Sequence, residues 1–87
     1  MAIEGDETLE AAEIRKLLVA AIPEAEIKVE GADGKYLVSA VSETFEDLNA
    51  VQRQQAVYSI LNEYISSGAI HAVSMRLQTK IEANSLE

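Results

Sequence analysis

The stretch that decides the fold runs from residue 49 to residue 79 and reads NAVQRQQAVYSILNEYISSGAIHAVSMRLQT. In its first half, apolar residues recur at the spacing of one helix face. They are Val51, Val57 or Tyr58, Leu61 and Ile65. Ser66-Ser67-Gly68 then ends the helix, because glycine accepts the left-handed backbone position that follows a helix. From Ile70 to Thr79 apolar and polar residues alternate, which predicts a strand after the helix.

The residues before this stretch predict another helix and a hairpin. The apolar positions of the helix are Ile14, Leu17, Leu18, Ala21 and Ile22. Asp6 or Thr8 can cap its start, and Pro23 ends it because proline lacks a backbone donor. Alternating runs over 26–30 and 36–41 are joined by Gly31-Ala32-Asp33-Gly34, and this pattern predicts an antiparallel hairpin. Asp47 or Asn49 can cap the second helix.

The predicted element order is helix, strand, strand, helix, strand. A right-handed crossover should return the last strand to the sheet of the first two. The fold class is therefore α+β, a two-layer sandwich in which two helices cover one face of a three-stranded sheet. On the other face, the small residues Ala72 and Ser74 suggest that something packs closely there. We expect a flexible segment at 1–7, a domain at 8–80, and a flexible tail at 81–87 that can include cloning residues.

Composition excludes several classes of function. The chain has 87 residues, no cysteine, one histidine and a net charge of −8, from 15 acidic against 7 basic residues. Without cysteine it forms no disulfide and no thiolate metal site of its own. The acid excess argues against tight binding to nucleic acid or to an anionic membrane. No apolar run approaches the ~20 residues of a membrane span. We expect a cytoplasmic protein that is monomeric on its own.

The residues that could carry chemistry are few. Enzymatic activity is not expected, since the chain has no cysteine nucleophile and no acid–base pair around its single histidine. Gly31 to Gly34 matches the GXXG pattern that clamps nucleotides, but it links two strands, so a hairpin turn is the better interpretation. Arg53, Gln54 and Gln55 could read a major groove, but one arginine among glutamines gives little phosphate affinity, so a solvated helix start is the default interpretation.

His71 is the most informative polar residue. One interpretation is a half-buried strand histidine whose ring is satisfied by a backbone partner. The other is a side chain at the rim of the sheet, where a neutral imidazole could ligate a metal held mainly by another protein. One ligand cannot hold a metal alone, so this second interpretation requires a partner.

Three segments carry a resemblance to a known family. They are Val41-Ser42 with Phe45, residues 51–58 (VQRQQAVY) and residues 68–74 (GAIHAVS). Together they resemble a BolA-like protein. The resemblance is to the IbaG/YrbA branch, because Gln54-Gln55 stands where BolA itself has a more basic run.

The resemblance implies a class II KH-like fold and a non-enzymatic adaptor of iron–sulfur and iron homeostasis and the stress response. Such proteins pair with a monothiol glutaredoxin and share a [2Fe–2S] cluster with it and with glutathione, binding none in isolation. His71 would be the ligand from this chain, and Lys35 stands where many relatives have a second ligand. The partner-binding residues would be Lys35, Arg53, His71 and Ala72.

Two alternatives stay open at this point. The family also includes transcriptional regulators, which would bind DNA here through the helix–turn segment near residues 49–58, with Arg53, Gln54 and Gln55. The other alternative is a protein-interaction module that needs no metal.

Overall fold

The predicted order of elements is confirmed, with one short helix added. A computed structural model describes residues 8–84. Its elements are α1 (Leu9–Ala21), β1 (Glu26–Ala32), β2 (Lys35–Val41), a short 3-10 turn (Glu43–Phe45), α2 (Ala50–Ser66), β3 (Ala72–Gln78) and α3 (Lys80–Asn84). The predicted flexible segment at 1–7 lies outside the described residues.

The helix ends are fixed by side chains that the sequence marks. The Thr8 hydroxyl accepts the Ala11 N–H at 3.1 Å at the start of α1. At the start of α2, the Asn49 side chain accepts the Gln52 N–H and the Gln52 side chain accepts the Asn49 N–H. This reciprocal pair satisfies two donors that the first turn leaves unpaired. Gly68 follows α2 with φ +88°, as its left-handed role requires.

The sheet has the strand order β1-β2-β3. β1 and β2 are antiparallel, with Val29 opposite Val38, which confirms the hairpin. β2 and β3 are parallel, with Val38 opposite Met75, so α2 is the crossover between them. β2 is thus the central strand, and β3 has one edge that no other strand of the sheet covers.

Both long helices pack on one face of this sheet. The largest fully buried side chains are Phe45, Ile14, Leu18, Leu61, Val29, Val38 and Val57. In α2, Val57 and not Tyr58 faces the core. The prediction that Val51 belongs to the same stripe is wrong, because 62% of Val51 is exposed. At 100° per residue Val51 falls about 120° around the helix from Val57.

The opposite face of the sheet is uncovered in the part of the chain that the structure describes. Ala72 and Ser74 are both exposed there, so the predicted close-packed neighbour is not found within residues 8–84. No helix among these residues has the length and apolar character needed to span a membrane.

The flexible tail predicted from residue 81 is partly wrong. Residues 80–84 form α3, whose start is held by a second reciprocal pair. The Glu82 carboxylate accepts the Thr79 N–H at 3.0 Å, and the Thr79 hydroxyl accepts the Glu82 N–H at 3.2 Å. This Thr-x-x-Glu pattern is readable in the sequence as a helix start.

Candidate functional site

His71 lies at the rim of the sheet, one residue before β3. Its N–H donates to the Gly34 carbonyl at 2.7 Å, and the Ala72 N–H donates to the same oxygen at 3.0 Å. The residue before it, Ile70, is 3% exposed and anchors the segment in the core. The backbone at His71 is therefore fixed on both sides, by apolar packing and by the hairpin turn.

The imidazole of His71 is exposed and rests on Gly34. A Cβ atom built on Gly34 would lie 3.0 Å from the ring Cδ2 and 3.1 Å from Cγ, so only glycine leaves the ring its present position. Within residues 8–84 the ring makes no hydrogen bond and no ion pair. Of the two interpretations of this histidine, the half-buried residue with a backbone partner on its ring is therefore wrong.

Lys35 and Ala72 flank the histidine. They are opposite each other in the β2–β3 register, and both are exposed. Asp33 is exposed at the tip of the same hairpin, with φ +57°. Within residues 8–84 there is no group of three His, Cys, Asp or Glu side chains that could hold a metal ion. The surface around His71 thus offers one imidazole nitrogen and one nearby lysine.

Arg53 makes contacts within the domain that the sequence does not predict. Its Nε donates to the Phe45 carbonyl at 3.1 Å and to the Leu48 carbonyl at 2.9 Å, and Nη1 donates to the Leu77 carbonyl at 3.1 Å. Both Nη atoms bond the Glu82 carboxylate, at 2.7 and 3.1 Å. We call this set of contacts the Arg53 clasp.

The clasp overturns the simple interpretation of Arg53 as a solvated helix start. Only 12% of its side chain is exposed, and the hydrogen bond to Glu82 raises its pKa further. The same bond lowers the pKa of Glu82 to about 2. Arg53 also lies at the far end of β3 from His71, so the structure does not bring these two predicted partner-binding residues together.

Gln54 and Gln55 are exposed on α2. Gln54 borders a cleft of about 500 Å³ between the start of α2 and the end of β3. The cation in that cleft is Arg53, which makes five hydrogen bonds in the clasp, two of them to the Glu82 carboxylate. The cleft therefore offers a phosphate group no cation that is not already paired.

Comparison with known proteins matches the chain to one family. A family model described as BolA-like protein matches residues 19–82. The chain belongs to the BolA-like family. The acid stress protein IbaG of Escherichia coli K12 is 39% identical over 74 residues, which cover 85% of this chain and 88% of IbaG.

Two further relatives agree. A protein of Acinetobacter guillouiae from the rpoN–murA intergenic region is 47% identical over 70 residues, covering 80% of this chain and 84% of the relative. The structure of BolA1 from Arabidopsis thaliana superposes with a TM-score of 0.73 at 31% identity, covering 92% of this chain and 98% of BolA1. The α+β BolA fold is thereby confirmed, and neither the family description nor these names denote an enzyme.

Proposed function

We propose that this protein is a non-enzymatic adaptor that pairs with a monothiol glutaredoxin and contributes His71 to a shared [2Fe–2S] cluster. The observation that carries the proposal is the state of His71. Its imidazole is exposed and makes no hydrogen bond within residues 8–84, while two backbone hydrogen bonds hold its position. A ligand for a metal centre on another protein needs these properties together.

The ligands that this chain offers fit a cluster shared with a partner protein. They do not fit a cluster bound by this chain alone. One imidazole supplies one ligand, so the glutaredoxin cysteine and the glutathione thiol would supply others. An imidazole in place of a thiolate raises the reduction potential of such a cluster when it is bound. Imidazole binds metal only in its neutral form.

A role in the stress response rests on the relative named for acid stress, IbaG. We propose that the adaptor acts in iron–sulfur and iron homeostasis. Its compartment would be the cytoplasm, where glutathione is available to a monothiol glutaredoxin. Lys35 and Ala72 would contact the glutaredoxin, since they flank His71 on the exposed rim.

The test mixes the protein with a cluster-loaded monothiol glutaredoxin and follows the visible absorption and circular dichroism. The wild type should change the spectrum, and His71→Ala should not. Gln54→Ala is the matched control, because it alters an exposed polar side chain on α2 and should behave as wild type. An unchanged spectrum with the wild type, or the same change with His71→Ala, would contradict the proposal.

The absence of His and Cys from the turn over residues 31–36 favours one second candidate, a metal-free interaction module. Calorimetry separates the two functions: a module without metal binds cluster-free glutaredoxin as tightly as the loaded form. DNA binding gains no support from the Arg53 clasp. A gel shift whose affinity falls steeply with salt would nevertheless reverse that judgement.

A further inference from the structure

The edge of β3 that faces away from β2 carries backbone groups that form no backbone hydrogen bond with any of residues 8–84. In a parallel pair, alternate residues of a strand bond the neighbouring strand, and the residues between them point away from it. Ala72 N–H bonds the Gly34 carbonyl and the Gln78 carbonyl accepts the Ser42 N–H, so the even-numbered residues face β2. Val73, Met75 and Leu77 therefore direct their N–H and C=O groups to the open edge.

The Arg53 clasp closes one end of this edge. The Leu77 carbonyl accepts from Arg53, whereas Val73 and Met75 have no backbone hydrogen bond to another described residue on that side. The open part of the edge is thus short, and it begins two residues after His71. Natural sheets normally cover or block such edges, because they readily pair with another extended chain.

A recess lies beside the open edge. It has a volume of about 360 Å³ and is lined by Tyr58, Ile65, Ile70, His71, Ala72 and Val73. Tyr58 is 41% exposed in this recess and offers an apolar ring to a side chain that enters it. Strand addition typically combines main-chain hydrogen bonds with pockets that take alternate side chains of the added strand.

We propose that the open edge from Val73 to Met75 pairs with an extended segment of the glutaredoxin partner, with one apolar side chain of that segment in the recess. This inference rests on the proposed function. The alternating backbone donors and acceptors specify a peptide backbone. Because His71 directly precedes β3, pairing here places the partner's segment beside the imidazole.

Other occupants fit less well. A second copy of this chain would bring another net charge of −8, and two such chains repel each other. A nucleic acid strand needs several cations along its path, whereas β2 and β3 carry two exposed ones, Lys35 and Arg76, in a chain of net charge −8. The partner segment is therefore the occupant that the contacts favour.

The test is amide hydrogen exchange, measured by NMR on the isotope-labelled protein with and without unlabelled, cluster-free monothiol glutaredoxin. The Val73 and Met75 amides should slow by about tenfold or more in the complex, since they gain hydrogen bonds. The Ser74 and Arg76 amides are the internal control. They already bond β2, so they should change little.

A pair of variants isolates the backbone donor. Val73→Pro removes the outward N–H and no bond to β2, whereas Val73→Ala shortens the side chain and keeps the N–H. Val73→Pro should bind the glutaredoxin about fivefold to tenfold more weakly than Val73→Ala, the effect of one lost hydrogen bond. Circular dichroism and a urea titration check that both variants fold.

Each failure has its own signature. A complex without the alternating protection, or with equal affinity for the two Val73 variants, overturns the edge pairing alone. Alternating protection without a spectral change from the loaded glutaredoxin overturns cluster sharing and leaves the edge pairing standing. Absence of any complex overturns both. Protection produced by raising the protein's own concentration, or by a single-stranded oligonucleotide, assigns the edge to another occupant and overturns the inference.

Discussion

Replacing Gly34 by alanine should displace the His71 ring, and replacing Gly68 by alanine should not. The two glycines have nearly the same φ, +84° and +88°. An alanine in this left-handed region costs roughly 1–2 kcal/mol, so both variants should lose stability by similar amounts. Gly68 has no atom within 4 Å of a built Cβ, whereas the Cβ at Gly34 meets the His71 ring at 3.0 Å.

The additional effect at Gly34 should be on geometry more than on stability. Carbon atoms pack best at about 3.5–4.0 Å, so the ring must move by a few tenths of an ångström or rotate. The ring is exposed and can turn into solvent, which limits the extra energy to at most about 1.5 kcal/mol. The displaced ring would no longer present its nitrogen as the wild type does.

Two measurements test this expectation. Urea titrations of the two variants should agree within about 1.5 kcal/mol. NMR signals of the His71 ring should shift in Gly34→Ala and stay unchanged in Gly68→Ala, and only Gly34→Ala should impair the spectral change with loaded glutaredoxin. Equal ring shifts in both variants, or none in Gly34→Ala, would refute the packing argument. The NMR result is independent of whether a cluster is shared.

Three predictions concern the scaffold. Leu61→Ala should lower the free energy of unfolding by about 2–5 kcal/mol through a core cavity, and a urea titration showing a much smaller loss would mean that α2 is phased differently. Glu82→Gln should destabilise the protein at pH 7. Because folding lowers the Glu82 pKa from 4.5 to about 2, the advantage of the wild type should persist down to about pH 4.5 and disappear as the pH falls toward 2. Unfolding titrations across this range test it, and a constant difference would rule out the bond to Arg53 as the cause. Asn49→Ala should cost about 1 kcal/mol by removing the cap of α2, and thermal melts that match the wild type would contradict this.

The sequence predicts the order of elements because local rules decide most of it. Pro23 and Gly68 mark helix ends by backbone chemistry, and Gly34 allows the hairpin turn. Which face of α2 turns to the core is harder to predict, because Val57 and Tyr58 fit the apolar spacing equally well. Only the position of the sheet under the helix decides between them. The prediction for Val51 fails because one apolar residue near a helix start carries little periodic information.

The candidate site divides in the same way. The family resemblance singles out His71, and the structure adds that its ring is exposed and rests on Gly34. The clasp could not be predicted from spacing, because the partners of Arg53 lie 24 and 29 residues along the chain, at Leu77 and Glu82. The signal that was available, and missed, is the Thr79-x-x-Glu82 pattern that starts α3.

The clasp also has a consequence for the order in which the chain can fold during synthesis. The ion pair of Arg53 with Glu82 can form only after residue 82 has been synthesised, because the two residues are 29 positions apart in the chain. Until then, Arg53 lacks the Glu82 carboxylate that pairs with it in the complete domain. A chain that ends before Glu82 should therefore keep the Asn49–Gln52 cap of α2 and leave the Arg53 guanidinium without this carboxylate. The short helix α3 thus fixes the start of α2 from the carboxyl-terminal side of the domain, through the bond of Glu82 to Arg53.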